Sequence, residues 1–108
     1  MTKPFNAETF ARLSKNEADS LVEAFINDDT LVRILLNDAN LSADQRKVVE
    51  DAISNAVHDT VFRFLYALDG AASLGGVQQQ YVLLDEQGNS VFSPGTLEAA
   101  TSEVFDGE

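Results

Sequence analysis

Through the first two-thirds of the chain, apolar residues recur at the three- and four-residue spacing that gives a helix one buried stripe. Ala18, Leu21, Val22, Phe25 and Ile26 lie on such a stripe, and Phe5, Phe10 and Leu13 mark a turn or two over 6–13 before it. Between them stands Ser14-Lys15-Asn16-Glu17. A serine followed three residues later by glutamate is a capping box, so the pattern predicts that a helix opens there. Asn27-Asp28-Asp29-Thr30 breaks the stripe, and Asp29 is placed to cap a short helix over 31–38. That helix carries Leu31, Val32, Ile34, Leu35 and Leu36 and little else, which predicts burial. Ser42 and Gln45 form a second capping box. The helix they open is expected to run over about 43–69, with Gly70 as a left-handed stop. Val49, Ile53, Val57, Val61, Phe64 and Leu68 share one broad face, and Phe62, Leu65 and Tyr66 add a second in its later half. A helix apolar on two sides is covered on two sides.

Beyond Gly75-Gly76, which let the chain reverse, a short apolar run, Tyr81 to Leu84, is apolar on both faces, which predicts burial on both. Residues 77–93 read as a β-hairpin: Tyr81 to Leu84 as one strand, Asp85-Glu86-Gln87-Gly88-Asn89 as the turn, Val91-Phe92 as the return. Thr96 is placed to cap a last short helix. The expected fold is therefore α+β, mainly α: three to four helices around a long central one (about 43–69), a C-terminal hairpin (about 77–93) and a short final helix. Its 108 residues suit a single domain, 1–108. An open hairpin edge beside apolar Tyr81–Leu84 invites pairing, so a homodimer is expected.

Charge alters this picture most. There are 18 acidic and 7 basic residues, a net charge of −11, and the last cation is Arg63. Asp69, Asp85, Glu86, Glu98, Glu103, Asp106 and Glu108 follow it unrelieved. Such a field repels nucleic-acid phosphates and anionic lipid and attracts a basic protein. Cysteine is absent, which removes disulfides and thiolate chemistry. The opening residues lack the apolar run of a signal peptide, and no apolar run reaches the roughly 20 residues that cross a bilayer. The expectation is a cytoplasmic protein away from membranes.

The stretch over 58–76 gathers the residues that could carry chemistry. His58, Phe62, Leu65 and Asp69 align along one side of the long helix, and His58, Phe62, Tyr66 and Asp69 are a candidate pocket lining. His58 and Asp69 stand about 16 Å apart along a helix axis and cannot touch. No serine or threonine is read as placed by local sequence for activation by His58, and Asp59 with Arg63 reads as an ordinary i, i+4 pair. One histidine and no cysteine make a transition-metal site unexpected. The glycines at 70–76 follow a helix rather than open one and have no lysine, the wrong order for a phosphate loop. Asp69 is expected to accept hydrogen bonds from the loop amides after it. No catalytic set assembles, and no cofactor is implied. The function expected is that of a small acidic interaction protein, of the immunity, antitoxin or adaptor kind, that binds and neutralises a basic partner through Tyr81, Asp85, Glu86, Glu98, Glu103 and Asp106. The alternative is a homo-oligomeric helical domain with an apolar small-molecule pocket at His58, Phe62, Tyr66 and Asp69.

Overall fold

The computed structural model describes residues 5–106. Four helices make the framework: α1 (Ala7–Asn27), α2 (Leu31–Asp38), α3 (Ala43–Leu68) and α4 (Thr96–Asp106). The helical expectations hold in outline and the hairpin does not: among the described residues there is no β-strand, and the fold is all-α. Residues 77–93 contain only isolated bridges, such as Leu84 with Ser90. The physical reason lies in where this segment's groups go. The Tyr81 amide donates to Leu68 O at the end of α3 (3.1 Å), and Val91 N donates to Leu83 O (2.8 Å). Val91 and Phe92 are buried in the helical core with Leu83 packed against them, while Val82 is 75% exposed. Core packing, rather than a ladder, holds the segment. The turn itself forms as read: Gly88 has φ +85°, and Asp85 accepts the amides of Gln87 and Asn89, each at 2.9 Å.

The helix termini show which local signals survive. Ser42 and Gln45 form the capping box as expected, at 3.2 and 3.0 Å. Gly70 (φ +74°) ends α3, where Ala71 N bonds Tyr66 O across a closing turn. Two other readings are corrected. α1 is continuous through Ser14, whose hydroxyl donates to Phe10 O (2.8 Å), and its cap is Asn6, whose side chain accepts from Thr9 N. Ala11 and Ala18, one on each side of Ser14, are both fully buried, so the helix runs through Ser14 without a break. Thr30, not Asp29, caps α2, accepting from Arg33 N at 3.2 Å.

α1 and α3 run antiparallel, since Ala11 shares a core cluster with Leu65 while Asp19 bonds His58. α4 lies across both at one end. There the core closes: Ala7, Ala11, Leu65, Val91, Phe92 and Leu97 are buried, with Phe10, Val61, Leu68 and Phe105 packed on them. Alanines on α1 let α4 and α3 approach closely. The other end is different. Later α1, α2 and early α3 bury only Ala18 and Leu36. α2 packs mainly on α1 and leaves Leu31, Ile34 and Leu35 exposed, so the expected burial of that helix does not occur within one chain. The radius of gyration is 16.7 Å, against about 13 Å for a compact domain of this length. Among the described residues no helix is long and apolar enough to cross a membrane.

Candidate functional site

His58, Phe62, Tyr66 and Asp69 do align along α3, but α4 lies on them, so they form a seam rather than a pocket. Going down that seam, Asp69 meets the start of α4, Tyr66 Oη bonds Ser102 Oγ, and Phe62 packs edge-on against Phe105 with ring centroids 5.7 Å apart. Phe62 also stacks on Tyr66 at 4.4 Å. The far end of the seam, at His58 and Phe62, borders an open cleft.

Asp69 is the anchor of α4. It is 5% exposed. Its Oδ1 accepts from Gly95 N (2.9 Å) and from Gln80 Nε2 (2.9 Å), and its Oδ2 accepts from Glu98 N (2.8 Å). A carboxylate at a helix N-terminus meets unpaired amides and the positive end of the helix dipole. Burial pushes its pKa up, but the amide bonds from Glu98 and Gly95 and the Gln80 bond outweigh it and hold the carboxyl below its ordinary range. The sequence reading had Asp69 bonding the loop directly after it; its amide partners come instead from 26 and 29 residues on. Asp69 belongs to no cleft.

His58 sits where α1, α3 and the end of α4 meet. Its Nε2 lies 2.7 Å from Asp19 Oδ1 and its Nδ1 lies 2.7 Å from the Ser54 carbonyl. Ser54 Oγ is 3.4 Å from Nδ1, a placement one helical turn away that the sequence reading missed although the i, i+4 spacing was legible. The three side chains resemble a nucleophile–base–acid set only in composition. Both ring nitrogens face an acceptor, a carbonyl at Nδ1 and a carboxylate at Nε2, and the serine hydroxyl is the most distant of the three groups. The geometry is that of a tether between α1 and α3. Asp19 is held below the ordinary carboxylate range, chiefly by the His58 bond, against partial desolvation and with help from Lys15, whose Nζ is 3.0 Å from Oδ2.

Around this tether is an open cleft of about 620 Å³, lined by Asp19, Ser54, Asn55, His58, Asp59, Phe62, Phe105 and Asp106. Phe62 and Phe105 form an aromatic wall, and carboxylates rim it. The expected Asp59–Arg63 pair is not among the described ion pairs. Asp59 and Asp106 are exposed and have no cationic partner among the described residues. Among the described residues no three His, Asp or Glu side chains converge as a metal site requires.

The other expected partner-binding residues are dispersed. Glu103 lines a separate groove with Phe5, Val91 and Phe92. Glu98 is exposed on the first turn of α4, and Glu86 is exposed in the loop. Asp85 spends its carboxylate on the turn amides, and Tyr81 is half-buried. Of the six, Asp106 alone borders the cleft. No protein-family model matches the chain, and the searches of curated proteins and of solved structures return no match.

Proposed function

We propose that the chain is a small cytoplasmic interaction protein that binds a basic surface of a protein partner and neutralises it, as immunity proteins, antitoxins and adaptors do. The observation that carries this reading is the cleft between α3 and the end of α4. Its exposed carboxylates, Asp59 and Asp106, line it together with the rings of Phe62 and Phe105. A lysine or arginine head finds there both a counter-charge and an aromatic face, and the apolar stem of that side chain has a wall to lie on. The net charge of −11 speeds the encounter with a basic partner and disfavours nucleic acid and anionic lipid. Glu98 and Glu103 extend the acidic surface along α4. This reading assigns no catalytic role, and it is supported by His58 tying α3 to α1 through Asp19.

Titration with arginine- and lysine-rich peptides, followed by backbone amide NMR, tests the reading. Shifts should centre on His58, Asp59, Phe105 and Asp106, fade at high salt, and be lost in D59K/D106K, whose substituted positions are exposed. Absence of binding at low salt, or shifts centred on α2, would overturn it. A second reading, a homo-oligomeric helical domain with an apolar small-molecule pocket, draws on an apolar groove of about 300 Å³ between α2 and α3. A true ligand there raises the melting temperature by mass action, and a thermal-shift screen of apolar metabolites separates the two.

A further inference from the structure

The end of the molecule away from α4 is unfinished. Leu31, Ile34 and Leu35 recur at helical spacing on α2 and are 69%, 45% and 60% exposed. Beside this ridge runs the groove lined by Val32, Leu36, Ala39, Leu41, Val49 and Ile53, with Leu35 on its rim. Arg33, half-buried on the same helix, has its Nε shielded from solvent without an acceptor among the described residues. Among those residues no further helix remains to cover this end.

We infer that this face is closed by a second copy of the chain, in a two-fold dimer that packs the α2 ridge of each copy into the α2–α3 groove of the other. Three observations choose that occupant. The first is shape: a two-fold interface must be self-complementary, and here one patch holds both an apolar ridge and an apolar groove. The second is area. The chain exposes 7148 Å², where a compact monomer of 11.7 kDa exposes about 5,900 Å². The excess, about 1,250 Å², exceeds the roughly 800 Å² that each partner gives to a standard interface. The third is charge. Arg33, Arg46 and Lys47, three of the chain's seven cations, are gathered at this end. Two copies meet here with less repulsion than along the cation-free region after Arg63, whereas a basic partner is drawn to that region instead. The dimer expected from the hairpin edge has lost that ground, because no strand edge exists among the described residues; the ground for a dimer is α2.

The absence of cysteine gives a direct test. Sedimentation velocity on the wild-type chain over a concentration series should report twice the protomer mass of 11.7 kDa. Oxidation of single-cysteine variants should cross-link L31C or L35C as dimers and leave V82C, on the apolar surface of the 77–93 segment, monomeric. L31E/L35E places charges at positions exposed in the protomer and should raise the dimer dissociation constant at least about 30-fold, the loss typical of an interface hot spot. If that variant unfolds instead of dissociating, the cross-linking of L31C and L35C decides the matter. A wild-type chain that stays monomeric throughout, or a dimer that cross-links through V82C but through neither α2 variant, would overturn the inference.

Discussion

Replacing Asp69 by alanine removes a carboxylate at the end of α3 that binds both the 77–93 segment and the start of α4. Three donors lose their acceptor: the Gly95 and Glu98 amides and the Gln80 side chain. Hydrogen bonds to a charged group contribute about 1.5–3 kcal/mol each, and a lost helix cap costs about 0.5–2 kcal/mol. These do not add, because Gln80 is exposed and water can reach part of the site once the carboxylate is gone. A net loss of about 3 kcal/mol is expected for Asp69→Ala, which for a chain of this size lowers the melting temperature by about 15 °C. Asp69→Asn keeps the shape but turns an NH₂ group towards amide donors, and should recover less than half of that. Far-UV circular dichroism at one fixed protein concentration measures both, and hydrogen exchange should show early opening confined to 95–106. The pH dependence has a definite sign. The folded pKa of Asp69 is lowered, so its contribution is complete above the unfolded value of about 3.9 and is lost as pH falls through the folded one. The gap between wild type and Asp69→Ala should therefore narrow in acid. A variant melting within a few degrees of wild type at neutral pH, or a gap that widens in acid, would refute the assignment of Asp69 as the α4 anchor.

Other substitutions probe the same frame. Thr101 is fully buried and its Oγ1 has no hydrogen-bond partner; Thr101→Val, nearly isosteric, should raise stability by about 1 kcal/mol in urea titration, since it removes an unpaired polar group. Gly70→Ala should cost about 1–2 kcal/mol by the same measurement, from the positive φ of +74°, with a Cβ only 3.3 Å from Gln80 Oε1. Asp19→Asn weakens the tether to His58; with Asp19 half-exposed the loss should stay below about 1 kcal/mol and, because the Asp19 pKa is lowered, should disappear below that pKa. A large loss that persists in acid would mean that Asp19 acts through packing rather than charge.

The exposed apolar face lies at one end of the antiparallel α1–α3 pair, and the acidic cleft surrounds the Asp19–His58 tether near its middle. None of the residues lining that cleft belongs to α2, so the proposed dimer face and the cleft use different side chains.

What the sequence settled by itself was local. Ser42 with Gln45, Gly70, the Gly75–Gly76 reversal and the Gly88 turn act through bonds or backbone angles spanning a few residues, and each formed as read. The charge of −11 and the absence of cysteine needed no structure at all. What the tertiary structure decided was which distant groups meet. Ser14 has the spacing of a cap and instead sits inside α1, where Ala11 and Ala18, one on each side of it, are both fully buried. Tyr81 to Phe92 have the two apolar runs and the glycine turn of a hairpin, yet Leu83, Val91 and Phe92 pack into the helical core instead of forming a ladder. Asp69 finds amides 26 and 29 residues away, and His58 finds Asp19 39 residues away. No periodicity encodes such pairs: a donor and an acceptor far apart along the chain carry no mutual signature until packing has fixed the helices that hold them.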